Sequence, residues 1–340
     1  MTEQQHPGQT HSKNLVEIRA PGRLHLGFID MHGGLGRSFG SLGLCLDDIY
    51  THLTARPSRD VIIHGPSGQR ASIFAGRILQ HLGIKQGIEI SIVESIPEHA
   101  GLGSGTQLSL AVGSAIAALY DKPISLHEIA TLMGRGARSG IGIGAFLYGG
   151  FLVDGGRGTE TEVPPIISRL PFPESWRLLL ILDSARQGMH GISETRAFSE
   201  LPPMSEARSA YLCRLTLMQL LPALAEGNCE LFGSAVTEIQ SHVGDHFAPA
   251  QGGRYYSRRV AGVLPWLSER GATGIGQSSW GPTGFALFPN ETKAYQALKG
   301  AREHWQYESS LSFKVCRARN QKAHISAEDV AGGRQYLINK

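Results

Sequence analysis

Pro97-Glu98-His99-Ala100-Gly101-Leu102-Gly103-Ser104-Gly105-Thr106-Gln107 is the stretch that decides the reading of this chain. Before it, Ile88-Glu89-Ile90-Ser91-Ile92-Val93 alternates as a strand does. After it, Leu108, Ala111, Val112, Ala115 and Leu119 recur at helical spacing. A strand, a glycine loop and a helix start together make an anion cradle. The first amides of a helix have no internal partner, and the helix dipole leaves partial positive charge there. Gly101, Gly103 and Gly105 let the backbone approach an anion; Ser104, Thr106 and Gln107 add side-chain donors. A phosphate or diphosphate ligand is therefore expected. A tight turn that merely needs glycine would read the same way from this loop alone, but two further loops weigh against it.

Working outward, 340 residues give room for two domains. The 43 glycines exceed the usual ~7% and cluster in loops, which points to function rather than low complexity. Basic and acidic residues number 32 and 29, for a net charge of +3, and no basic block is present. That balance argues against a nucleic-acid partner. Cys45, Cys213, Cys229 and Cys316 lie far apart with no zinc spacing, as expected of thiols in a reducing cytoplasm. Residues 1–13 are polar and read as a frayed arm rather than a signal peptide. No apolar run approaches the ~20 residues that span a membrane.

The pattern predicts strands over Val16–Ala20 and Leu24–Ile29, separated by Pro21-Gly22, then over Leu42–Leu46 and Tyr50–Ala55. Helices are expected over Ala71–Leu82 and Leu126–Arg135, and closing strands over Phe146–Val153 and Thr161–Val163. The proline-rich segment Pro164–Pro173 reads as a linker. Beyond it come a strand over Arg177–Asp183 and amphipathic helices over Ser205–Ala225, Cys229–His242 and Tyr256–Glu269, the last carrying Pro265. A strand over Gly284–Phe288, a helix over Thr292–Trp305 and a strand over Ser310–Arg317 follow. This order suggests a ferredoxin-like plait.

Three other segments carry chemistry. In Pro21-Gly22-Arg23-Leu24-His25-Leu26-Gly27-Phe28-Ile29-Asp30, Arg23 and His25 are two apart and share one strand face. Arg23 suits a phosphate or carboxylate, and His25 suits proton handling; a wet strand face is the bland reading. Arg135 through Gly144 is a further glycine-rich stretch. Gly274-Ile275-Gly276-Gln277-Ser278-Ser279-Trp280-Gly281-Pro282-Thr283-Gly284 places two hydroxyls and an indole between glycines. Trp280 there suits stacking on a planar ring, or packing between domains. His190, in the loop after the strand ending at Asp183, is a candidate catalytic group. His242-Val243-Gly244-Asp245-His246 lacks the glutamate of the zinc-protease motif and is not read as a metal site.

In this order, Pro21–Asp30, Pro97–Gly105 and Gly274–Gly284 resemble the three signature regions of the GHMP kinase superfamily. The resemblance implies an α+β fold. A ribosomal protein S5 domain 2-like domain spans 14–170 and a ferredoxin-like domain 174–325, between the arm at 1–13 and a tail at 326–340. The departures are specific. Ser139-Gly140-Ile141-Gly142 has glycine where the kinases' Ser-Gly-x-Asp carries the aspartate that activates the attacking hydroxyl, and Gly105 replaces the loop's second serine. Arg23–Asp30, Arg37–Gly43, Gly101–Gln107 and Ser278–Gly284 are similar to one branch, the β-ribofuranosylaminobenzene 5′-phosphate synthases of tetrahydromethanopterin biosynthesis. What that resemblance implies is condensation of phosphoribosyl diphosphate with 4-aminobenzoate or 4-hydroxybenzoate, releasing carbon dioxide and pyrophosphate. Magnesium would accompany the diphosphate, with no organic cofactor. Arg23, His25 and His190 are then the candidate catalytic groups. Arg37, Ser278, Ser279, Trp280 and Gly281 are the candidates for substrate binding, and Asp30 and Asp47 for the metal. A homodimer is expected, as most oligomers are symmetric. The alternatives are an ATP-dependent small-molecule kinase and a ligand-binding protein without turnover.

Overall fold

A computed structural model describes residues 13–188, 191–329 and 334–336. Two long strands, β1 (Lys13–Asp30) and β2 (Phe39–Ser58), pair antiparallel along most of their length. The Pro21-Gly22 step, expected to lie between separate short strands, sits inside β1 as a bulge. The register slips between Pro21 and Arg23, and again between His25 and Gly27. Proline supplies no ladder donor, and the irregularity bends and re-aims the strand without ending it. β3 (Val61–His64), β4 (Gly87–Glu94), β5 (Phe151–Asp154) and β6 (Ile166–Leu170) extend the same sheet. β6 occupies the segment expected to be a linker, and the strand expected at 161–163 does not form.

Helices α1 (Gly68–His81), α2 (Ser104–Leu119), α3 (Leu126–Leu132) and α4 (Ile141–Leu147) accompany this sheet. Phe74, Ile78, Leu108 and Ile116 pack with Ile18, Leu53, Ile90 and Ile92 into one apolar core.

The second half begins at β7 (Arg177–Asp183), followed by α5 (Ile192–Glu200) and α6 (Glu206–Leu215). A π-turn over Thr216–Leu220 continues α6 into α7 (Leu221–Ala225), and α8 (Cys229–Gln251) follows. Next come α9 (Arg258–Ser268), β8 (Gly274–Gln277), β9 (Gly284–Phe288), α10 (Glu291–His304) and β10 (Leu311–Cys316). The sheet order β10-β7-β9-β8, with every neighbour antiparallel, is the ferredoxin-like plait. β7 is buried on both faces: Leu178 and Leu180 join one core, Leu179 and Ile181 another.

The expected tail is corrected. β11 (His324–Asp329) returns to the first sheet beside β1, and β12 (Arg334–Tyr336) pairs with β11. Buried Ile325 and Ala327, spaced two apart, give β11 its inner face. The first sheet is therefore completed by the end of the chain. The two halves also share a core, in which Leu24, Leu26 and Phe28 of β1 join Phe232, Val236, Ile239 and Phe247 of α8.

Candidate active site

After β4 the chain turns through Pro97–Gly103 into α2. Gly101 has φ +78°, and a Cβ there would stand 2.2 Å from the Ser278 carbonyl oxygen. No other residue type fits that approach. Gly103, at φ +87°, is the N-cap of α2 and offers no side-chain cap. The opening amides of α2 are thus left for a ligand.

A cleft of about 400 Å³ surrounds this helix start. Arg23 of β1, Arg70 of α1 and Arg135 after α3 line it, with Ser104, Gly105 and Thr106. Gly105 explains one departure from the kinase loop. A Cβ there would meet Arg70 Nη2 at 2.5 Å and Arg135 Nη2 at 3.0 Å, so both guanidinium groups close on the helix start at this glycine. Arg23 donates to the Gly101 carbonyl. Its Nε, and that of Arg135, are buried without a hydrogen-bond partner in the protein. Burial lowers the Arg23 pKa to about 10. Burial also lowers that of Arg135, and repulsion from Arg70 adds to it. Buried cationic donors beside exposed helix amides are the chemistry of a di-anionic or tri-anionic ligand. Oriented phosphate oxygens would satisfy both sets.

Among the described residues Glu194 is the carboxylate that lines the cleft, 3.2 Å from Arg138; Glu98, in the loop beside it, lies 2.8 Å from Arg70. Gly142, the position that the resemblance sets against the kinase aspartate, lies in α4. A Cβ there would come within 2.9 Å of the Thr106 methyl, and the Gly142 carbonyl accepts from Gln107 Nε2 at 2.7 Å. α4 thus packs closely on the start of α2.

Ser278 holds the three signature segments together. Its Oγ donates to the Gly101 carbonyl at 2.7 Å and accepts from His25 N at 3.0 Å, and Ser279 N donates to the His25 carbonyl at 3.1 Å. Gly281 is forced by the same approach: a Cβ would lie 2.3 Å from the Ala100 carbonyl oxygen.

Several expected site residues stand elsewhere. Ser278 is fully buried and its hydroxyl is committed to this staple, so it does not meet substrate. Gln107 is buried and turned toward Gly142, away from the cleft. Arg37 spends its Nε and Nη2 on the Gly155 and Gly156 carbonyls, latching one loop to another. Asp30 caps its own turn by accepting from His32 N and Gly33 N. Asp47 is held by Arg317 and Arg319. Neither aspartate lines the cleft. Among the described residues no group of three or more His, Cys, Asp or Glu side chains is placed to hold a metal. His25 does not line the phosphate cleft; it faces a separate small cavity beyond Ser279 and Trp280. Trp280, Ser279 and Gly281 do line the cleft, although the indole also packs on Phe198 and Phe247 at centroid distances of 5.5 and 4.3 Å. His190 lies outside the described residues.

Sequence reasoning missed Arg70, which stands just before the helix expected over Ala71–Leu82. Arg135 opens a glycine-rich stretch, and that neighbourhood was its available signal.

This geometry has relatives. Residues 70–150 match the GHMP kinases N terminal domain and residues 220–306 the GHMP kinases C terminal domain. A β-ribofuranosylphenol 5′-phosphate synthase from Archaeoglobus fulgidus is 34% identical, over 80% of this chain and 88% of that protein. The chain belongs to this synthase family. A second member, from Methanothermobacter thermautotrophicus, is 30% identical over 79% of this chain and 88% of its own length. The synthase family shares its fold with kinases. Homoserine kinase from Cytophaga hutchinsonii superposes with a TM-score of 0.65 at 20% identity, covering 95% of this chain and all of that one. Lactococcus lactis galactokinase does so at 0.69 and 16% identity, covering 92% and 95%. Kinase fold and synthase kinship coincide with a cleft built around the glycine-rich start of α2 and three arginines. No helix among the described residues is long and apolar enough to cross a membrane.

Proposed function

We propose that this enzyme joins C1′ of phosphoribosyl diphosphate to the ring of 4-hydroxybenzoate or 4-aminobenzoate. The bond from C1′ to the diphosphate oxygen breaks, and its electron pair leaves with pyrophosphate. The ring carbon bearing the carboxylate attacks C1′. The bond to the carboxyl carbon then breaks, its electrons restore aromaticity, and carbon dioxide departs. The relatives' name, a phenol, matches the product expected from the hydroxy acid, so 4-hydroxybenzoate is the substrate to test first.

One observation carries the reading: three arginines at an uncapped helix start, with glycine at the kinase aspartate position. Loss of pyrophosphate needs stabilisation of departing negative charge and alignment of both substrates, not a protein nucleophile. Arg70 and Arg135, beside the α2 amides, supply donors for the diphosphate, and Arg23 closes the site from β1. Kinase chemistry needs a group to activate a hydroxyl, and Glu194, the carboxylate that lines this cleft among the described residues, lies against Arg138.

Among the described residues the donor set does not make a resident metal site. It fits magnesium arriving together with the diphosphate substrate, since that ion keeps waters and substrate phosphates as ligands. The proposal is tested by carbon dioxide release from carboxyl-labelled 4-hydroxybenzoate with phosphoribosyl diphosphate and magnesium. Release that requires the diphosphate is expected; ATP-dependent phosphorylation without release would favour a kinase.

A further inference from the structure

Beyond the phosphate cleft lies a second, smaller cavity of about 30 Å³, room for one or two water-sized groups. Ser279 and Trp280 line both spaces. Most polar side chains around the small cavity are occupied. Gln240 donates to the Leu26 carbonyl and accepts from Gln277 N. Gln251 donates to the Arg254 carbonyl, and Gln277 accepts from Tyr256 N. Arg254 holds Asp245 through two bonds of 2.7 and 2.9 Å.

His25 differs. It is 4% exposed, and its Nδ1 is buried with no partner. An edge-on contact with Phe28, centroids 4.7 Å apart, sets its ring plane. Phe28, Val243, Phe247 and Trp280 supply apolar walls. Burial, with the charge of Arg23 adding to it, holds the imidazole pKa down to about 3, so the ring is neutral at pH 7. A neutral imidazole with its Nδ1 left unpaired in an aromatic box calls for one small uncharged polar group.

We propose that this cavity receives the para substituent of the aromatic acid, with His25 Nδ1 as its hydrogen-bond partner and the Ser279–Trp280 strip as the seat of the ring. The inference rests on the ribosyl-transfer reading above. The cavity volume suits a hydroxyl or amino group and excludes a whole ring. The carboxylated end of the ring then lies on the cleft side, where the ribosyl carbon is held. Specificity would come from the unpaired nitrogen, because an acid lacking the substituent leaves it unsatisfied.

The test compares KM for 4-hydroxybenzoate with the inhibition constants of benzoate and 4-methoxybenzoate, in wild type and in His25→Leu. The His25 main-chain bonds to Ser278 and Ser279 do not use the side chain. His25→Leu is expected to raise KM for 4-hydroxybenzoate roughly 10- to 100-fold. The benzoate inhibition constant and the KM for phosphoribosyl diphosphate should stay within about twofold. His25→Gln should recover some of the loss. In wild type, 4-methoxybenzoate should bind at least about tenfold more weakly than 4-hydroxybenzoate, a comparison that needs no variant to fold. Equal weakening of substituted and unsubstituted acids by His25→Leu, or tight binding of the methoxy acid, would overturn the inference and leave the reaction standing. A wild-type enzyme that turns over neither benzoate would overturn both.

Discussion

In the proposed reading, Gly105 and Gly142 are where this chain departs from phosphoryl transfer. At the first, two arginines close on the helix start; at the second, α4 closes on α2. In the proposed reaction, charge at the leaving group takes the place of activating an attacking hydroxyl. Arg135→Ala should therefore raise the KM for phosphoribosyl diphosphate about 10- to 100-fold, the range for loss of a charged hydrogen bond in a buried site. The KM for the benzoate should move little. Initial-rate kinetics with each substrate varied separates the two, and equal effects on both would remove the arginine from the diphosphate site. His25 makes a separate, pH-dependent prediction. Unfolded, its imidazole takes a proton near pH 6.5; folded, only near pH 3. Between those values the unfolded chain holds the extra proton, so stability falls as pH drops from 6.5 toward 3, by at most ~1.4 kcal/mol per pH unit. Urea denaturation of wild type and His25→Leu at pH 7 and pH 5 should show a smaller acid loss in the variant. An identical loss would mean that the imidazole titrates normally in the fold.

At the scale of elements, one hydroxyl ties three loops. Ser278 bonds to Gly101 before α2 and to His25 in β1, and Ser279 adds a second link to β1. Ser278→Ala leaves the buried His25 N–H without its acceptor and the Gly101 carbonyl with Arg23 as its remaining donor, and should cost about 1–3 kcal/mol of stability. It should also weaken diphosphate binding, because the staple sets the cleft's shape. Thermal unfolding with and without pyrophosphate reads both effects; an unchanged midpoint and unchanged pyrophosphate shift would make the staple incidental. Much of this region is legible in the sequence. Alternation over 88–93 and helical spacing after Leu108 place the phosphate loop, because both are local patterns. The fate of Ser278, Arg37, Asp30 and Asp47 is not legible there. Each is a polar residue in a motif, and only the fold shows that its donors or acceptors are already taken. The bulges in β1 are equally hidden, since a proline reads as a break until its neighbouring strand is seen.

Across the whole molecule, the ferredoxin-like half is readable from element order alone. The return of β11 to the first sheet is not, because six residues with one short apolar alternation give a weak signal until β1 supplies the partner edge. Nor does spacing show that α8 runs on to Gln251, burying Val243 and Phe247 against β1. That shared core matters for function. It fixes Trp280 and His25, from opposite halves of the chain, around one wall between the cleft and the small cavity. A specific covalent outcome is therefore predicted: a bond between ring and ribose carbons, with the phosphate loop used for a leaving group. The decisive measurement is the carbon NMR spectrum of product made from 4-hydroxybenzoate labelled at ring carbon 1 and phosphoribosyl diphosphate labelled at C1′. A one-bond coupling between the two labelled carbons is the predicted result. A product whose ribosyl carbon is bonded to oxygen, with the carboxyl group retained, would contradict it.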